Sequence, residues 1–236
     1  MTLLSIVKDA ADAIGLPRPT AVYSSTDQQV RTLLALSNRG GKALLDRYPW
    51  SVAIREATFT SLAAELQGVV TTIAPGFKSL LNETIWNRSA TRPAGGPVSP
   101  GQWQAYKAEN IAGPWDRYRI QAGSLYIIPA PAAGQTFAFE YVSTYWCASS
   151  GGTGQAAWAA DTDTGLLDEE LLTLDLIWRF KQAKGLDYGE DFRTFEMRAV
   201  NAMGTDGGKA RLSAAPDPDA FTRARAPAVP EGGRNH

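Results

Sequence analysis

Histidine is almost missing from this chain, and its one copy is the last residue, His236. Imidazole is the usual general base and the commonest zinc ligand, and a terminal residue is poorly placed for either task. A Ser-His-Asp or Cys-His triad would have to recruit His236. Cysteine is equally scarce: Cys147 stands alone, which excludes an intramolecular disulfide framework and a multi-cysteine zinc site. No apolar run approaches the ~18 residues needed to cross a bilayer. Neither sign of charge dominates, with 23 basic and 24 acidic side chains, so the electrostatic footprint of a nucleic-acid binder is missing. The opening MTLLSIVKDAADAIG has neither a basic start nor a long apolar stretch. The expectation is therefore a chain made and folded in a reducing cytoplasm, with no leader.

What is present suffices for a core. Of 236 residues, 44% are hydrophobic, and a chain this size buries roughly 70% of its unfolded surface without a staple. Composition divides it into three zones and predicts an α+β fold. In residues 1–50, Leu3, Leu4, Ile6, Val7, Ala10 and Ile14 recur at helical spacing until Gly15 and Pro17. A second helix is predicted from a cap at Ser25-Thr26-Asp27. It runs through Val30, Leu33, Leu34, Leu44, Leu45 and Tyr48 and stops at Pro49. Gly40-Gly41 interrupts it at about 1 kcal/mol per glycine relative to alanine, which points to a kink or to a close helix approach. Residues 160–206 return to helical periodicity. Leu167, Leu171, Leu174, Trp178 and Lys181 form one stripe up to Gly185; Tyr188, Phe192, Phe195, Ala199 and Ala202 form another. The simplest architecture joins residues 1–50 and 160–206 into one antiparallel helical bundle.

Residues 51–159 then form a β-rich insertion, meander-like or sandwich-like. Phe137, Phe139, Tyr141, Ser143 and Tyr145 alternate with Ala138, Glu140, Val142 and Thr144, giving one strand an almost wholly aromatic face. Gln121-Ala122-Gly123-Ser124 reads as a hairpin turn between Tyr118–Ile120 and Leu125–Ile128. A further turn from Pro129 to Gly134 would make these three strands a meander. Val52–Ser61 and Glu83–Ser89 are additional strand candidates, and Ser99-Pro100 opens a short helix bearing Trp103 and Tyr106. Residues 207–236 differ from all of this. They hold four prolines, one aromatic residue (Phe221), five basic and three acidic side chains. Too poor in apolar residues to order alone, they are predicted to form an extended C-terminal arm reaching up to ~100 Å.

Candidate chemistry is thin. Asp161-Thr162-Asp163-Thr164-Gly165 with Asp168, Glu169 and Glu170 has the look of a cation loop. Its glycine comes too early and its last acid too close for an EF-hand, so a capping turn at a helix start is preferred. Paired acids, Asp168 with Glu170 or Glu190 with Asp191, sit among solvated charges, whereas a glycosidase needs one acid of raised pKa. Glu140, flanked by Ala138 and Val142, is the acid most open to partial burial, although an exposed or ion-paired acid is the commoner outcome in a strand. Gly95-Gly96 and Gly151-Gly152-Thr153-Gly154 lack the lysine of a phosphate loop and read as flexible connections. Arg88, Arg92, Arg117 and Arg119 near Trp86 and Trp115 would suit single-stranded nucleic acid, but arginine planes packed on aromatics at a sheet surface are the simpler account. No cofactor or metal is expected.

The stretch Leu44-Leu45-Asp46-Arg47-Tyr48-Pro49-Trp50-Ser51-Val52-Ala53-Ile54-Arg55 resembles the helix-Pro-Trp-(Asn/Ser)-apolar-Ala-x-Arg junction of tailed-phage head-to-tail adaptor proteins, the group that includes podovirus tail tubular and tail accessory proteins. Ala74-Pro75-Gly76-Phe77 is similar to the family's Leu-Pro-x-Asp-Phe stretch, with Gly76 replacing an acid. Leu167 to Tyr188, with Trp178-Arg179 and Ala183-Lys184, resembles its C-terminal helix. The likeness covers about residues 1–205. It implies a dodecameric ring under a portal protein, in the virion neck and before that in the host cytoplasm. The ring would extend a channel through which double-stranded DNA passes without sequence-specific binding, and would dock tail tube, nozzle or fibre proteins without any membrane. It also implies a C-terminal arm that climbs onto the portal, here carrying Lys209, Arg211, Leu212, Phe221, Arg223 and Arg225, and a structural junction at Pro49 and Trp50. The alternative is a carboxylate-based cell-wall glycan hydrolase associated with a phage tail.

Overall fold

Helix α1 (Leu3–Ile14) begins where Thr2 and Ser5 cap one another reciprocally and ends at Gly15, which takes the left-handed conformation at φ 75°. In the computed structural model, residues 2–109 and 115–207 are described. The α1 start is also capped from far away in sequence: the amides of Leu3 and Leu4 donate to the carbonyls of Asp163 and Asp161 at 2.8 and 3.2 Å. Helix α2 (Gln28–Arg47) is capped by Asp27, whose carboxylate accepts from the amides of Gln29 and Val30. It runs unbroken through Gly40-Gly41. A Cβ on Gly40 would overlap Asp175, and one on Gly41 would overlap the Trp146 ring. The pair therefore marks a close approach and not a kink.

A 3-10 turn at Ser51–Ala53 leads into β1 (Ile54–Thr60), so the strand starts two residues later than predicted from Val52. Next come β2 (Leu66–Val69), a single turn α3 (Val70–Ile73), β3 (Phe77–Leu80), β4 (Trp86–Asn87) and β5 (Arg92–Pro93). The strand expected over Glu83–Ser89 shrinks to β4, with Glu83 at φ 65° just before it. Helix α4 (Pro100–Glu109) is capped by Ser99. Strands β6 (Arg117–Gln121) and β7 (Ser124–Ile128) form the expected hairpin, whose two central residues Ala122 and Gly123 both have positive φ. That geometry matches the twist of the strands it joins. Then follow β8 (Thr136–Ser143), β9 (Cys147–Ala148), β10 (Gly154–Gln155), β11 (Thr164–Gly165), α5 (Glu169–Ala183) and α6 (Gly189–Thr205).

The class is α+β with antiparallel sheets, but the meander is overturned. Strand β8 does not continue the β6–β7 hairpin. That hairpin pairs through β7 with β2, while β8 pairs with β1, β3 and β4 in a second sheet. The physical reason is that β7 is already bonded on both edges, by β2 and β6, leaving no free backbone for a third strand. Both sheets contribute to one apolar cluster, Tyr118, Leu125 and Ile127 from one meeting Phe137, Phe139 and Tyr141 of the other. A second, larger cluster combines the chain's two helical ends: Leu3, Ile6 and Leu44 pack with Leu171, Leu176 and Phe195. Helix α5 packs against α1, α2 and α6. It accordingly buries Leu171, Leu172, Asp175, Leu176, Ile177, Trp178 and Phe180, wider than a single stripe, because it is covered on several sides. Trp146, Cys147 and Trp158 also belong to this cluster.

Candidate functional site

The helix-to-strand junction is where the two apolar clusters meet in sequence. Tyr48 leaves helical geometry at φ −151°, as the residue before a proline must, and Pro49 stays exposed. The chain then turns Trp50 back beneath the helix it has just left. Its ring is buried, its indole N–H donates to the Leu44 carbonyl at 2.8 Å, and Tyr48 packs edge-on at 5.2 Å. That bond satisfies one of the orphan carbonyls of the last helical turn.

Three clasps from other parts of the chain close on the same point. Asp206, the residue capping α6, accepts from the Ser51 amide at 2.7 Å and from the Ser51 hydroxyl at 2.6 Å. Glu196 of α6 accepts a two-pronged bond from Arg47 at 2.7 and 2.5 Å. This guanidinium, bonded first and attracting second, holds the Glu196 carboxyl below the ordinary glutamate range. From β3, Lys78 donates to the Leu45 carbonyl at 3.0 Å and pairs with Asp46 at 2.6 Å. The junction is thus locked to the helical body through α6 and to the sheets through β3. None of these partners is visible in local sequence pattern.

The acids of the 161–170 stretch are spent on backbone. Asp161 accepts from the amides of Val22 and Tyr23 at 3.0 and 2.7 Å, and buried Asp163 accepts from Ala159 and Ala160 at 2.7 and 2.9 Å. Asp168 caps α5 through Glu170 and Leu171 and pairs with Arg198 at 2.8 Å. Among the described residues no acid, His or Cys group forms a metal cluster. Asp168 is thus the helix cap preferred on sequence grounds, whereas Asp161 and Asp163 hold loop amides.

Glu140 is exposed, so the partial burial considered for it does not occur. Strand pairing sets it opposite Glu56, and the two open onto a groove of about 390 Å³ that also takes Glu83, Arg88 and a half-exposed Trp86. Arg88 pairs with Glu56 at 2.6 Å and Arg92 with buried Asp116 at 3.0 Å, while Arg117 lies across Gly95. Arg88 and Arg92 therefore serve ion pairs within the sheet, and Arg117 packs against Gly95. Cys147 is buried, and burial pushes its thiol up to about 12, which leaves it inert at neutral pH. The arm residues Lys209, Arg211, Leu212, Phe221, Arg223 and Arg225 lie outside the described residues, as does His236. No helix among the described residues is long and apolar enough to cross a membrane.

No protein-family profile matches the chain, and no curated protein matches it in sequence.

Proposed function

We propose that this chain is a structural adaptor of a tailed-phage neck, a ring-forming subunit under the portal that acts by assembly and not by catalysis. In this reading residues 1–50 and 160–206 are an antiparallel bundle, residues 51–159 a β-rich insertion, and residues 207–236 the arm that meets the portal. The observation that carries it is the Pro49–Trp50 junction. Its compact motif is the most specific part of the family resemblance, and the burial of Trp50 with the three clasps supports a fixed angle between helices and sheets. A ring of identical subunits needs such a fixed angle, because a head-to-tail contact closes only at one rotation. Further support comes from α6 and the loop before it, where Leu186, Tyr188, Phe192, Met197 and Val200 are all exposed. Contact with a neighbouring subunit would cover this exposed apolar area.

Electron microscopy and sedimentation of the purified protein, with and without portal, test the proposal. Rings that form on the portal or at high concentration are the expected outcome; an unchanging monomer in both conditions would sink it. The groove of Glu56, Glu83 and Glu140 beside Trp86 favours a second reading, the tail-associated glycan hydrolase. Peptidoglycan zymography separates the two: clearing lost in Glu140→Gln, with assembly intact, would replace the adaptor reading.

A further inference from the structure

Two exposed faces of the chain carry charge that the described residues leave unanswered. One is the outer face of the β8 sheet. There Glu140 stands directly opposite Glu56, an arrangement that destabilises a sheet because like charges repel across strands. Arg88 pairs with Glu56 at 2.6 Å. Glu83 and Glu140 are exposed and meet no cation among the described residues. Both line the groove of about 390 Å³ beside Trp86, whose ring is 45% exposed. An indole face attracts a guanidinium or ammonium group, and so does a carboxylate without a partner.

The other face lies on α2. Arg39 and Lys42 are exposed and form no ion pair among the described residues, whereas Arg47, further along the same helix, is taken by Glu196. Three positions apart, Arg39 and Lys42 are neighbours on the helix surface, about 4.5 Å apart along its axis. They are close enough to enter one groove together. Ala35 and Ala43, four positions either side of Arg39, are exposed as well, and their short side chains leave the two cations protruding.

We propose that these two faces bind one another between copies of the chain, with Arg39 and Lys42 of one copy entering the groove of Glu83, Glu140 and Trp86 of the next. Charge complementarity selects the occupant. Two cations without an ionic partner stand on one face and two such carboxylates on the other, and one chain supplies both. The entering pair also relieves the repulsion between Glu56 and Glu140, which Arg88 meets from one side only. The faces share no residue, so the contact runs head to tail and leaves each copy one face of each kind for a further copy. The inference rests on the adaptor reading, for which it supplies the surface between neighbouring subunits of the ring.

The test is a charge exchange in the full-length chain, read by sedimentation velocity with and without portal. A groove variant carries Glu83→Lys and Glu140→Lys; a helix variant carries Arg39→Glu and Lys42→Glu. Wild type should form oligomers beyond the dimer, with an affinity that falls about tenfold between about 0.05 and 0.5 M salt. Each variant alone should stay monomeric, because its two faces have like sign. An equimolar mixture should assemble again, since the basic groove of one then meets the acidic helix of the other, and the reverse. Such rescue also shows both variants to be folded. Assembly of either variant alone at wild-type affinity, a mixture of folded variants that stays monomeric, or wild-type association that stops at a dimer would each overturn the proposal. Should a reversed variant fail to fold, Glu83→Gln with Glu140→Gln asks the same question: association should weaken at least tenfold, and unchanged association overturns the contact. Rings on the portal that ignore both reversals would remove this contact and leave the adaptor reading standing. Rescue by mixing in solution, with no ring on the portal, would keep the contact and remove the adaptor. A wild-type monomer under every condition would remove both.

Discussion

At the scale of single residues, Gly40 and Gly41 show two effects of opposite sign competing at one site. Alanine is favoured over glycine inside a helix by about 1 kcal/mol, so α2 taken alone should gain from replacement. The neighbours decide otherwise, because the space a Cβ would need is filled by Asp175 at one position and by the Trp146 ring at the other. Trp146 has little room to move: it packs edge-on to Trp158 at 4.8 Å and donates to the Ala156 carbonyl at 2.8 Å. Overpacking a core costs about 1–3 kcal/mol, so the steric term wins. Gly41→Ala is expected to lower stability in urea denaturation, and a stabilised variant would show that the ring gives way freely. Trp50→Ala should cost more, about 3–5 kcal/mol as large-aromatic truncations do, since it empties a buried site and strips the Leu44 carbonyl of its donor. Near-native stability would remove Trp50 from its structural role.

At the scale of elements, helices α5 and α6 carry two carboxylates whose environments push in opposite directions. Asp175 on α5 is buried to 1% exposure. Desolvation raises its pKa above the ordinary 3.8, outweighing the bonds from Arg179 at 2.7 Å and Trp178 at 3.2 Å. The native state therefore holds this proton more tightly than the unfolded chain does. The associated stability is present below pH 3.8 and is lost as pH rises through the raised native value. Glu196 on α6 is lowered below its ordinary 4.5 by Arg47. Its stability is present above pH 4.5 and lost as pH falls through the native value. Relative to wild type, Asp175→Asn should thus gain stability as pH rises from about 3.8, whatever constant offset the unpaired Arg179 adds. Glu196→Gln should lose ground over the corresponding acidic range, by less than about 1 kcal/mol because the pair is a third exposed and screened. Equilibrium unfolding from pH 3 to 7 reads both slopes, and a shared sign would contradict the assignment.

At the scale of the whole molecule, the question is what couples the helical core to the sheets. Asp206 is the most economical answer, since one carboxylate at the end of α6 holds two donors of Ser51 at the start of the turn into β1. Asp206→Ala should cost about 1 kcal/mol, because both bonds are solvent-exposed and the Ser51 donors regain water, and should expose the 48–54 junction to proteolysis before either core unfolds. Cleavage elsewhere first would place the coupling at Lys78 or Arg47 instead.

Much of this was written in local pattern. The periodicity of α1, α2 and the two C-terminal helices, the Asp27 and Ser99 caps, the Ala122-Gly123 turn and the aromatic face of β8 follow from spacing and turn chemistry alone, because each depends on residues close in sequence. The Asp168 cap of α5 was legible for the same reason, whereas the bonds from Val22 and Tyr23 to Asp161 were not. Which strand β8 joins, that Gly40 and Gly41 mark a close approach, that Glu140 lies exposed opposite Glu56, and which groups clasp Trp50 were settled only by the tertiary structure. Those features depend on contacts between segments up to 155 positions apart, as with Ser51 and Asp206. No residue carries in its own neighbourhood the identity of a partner that folding brings to it from that distance.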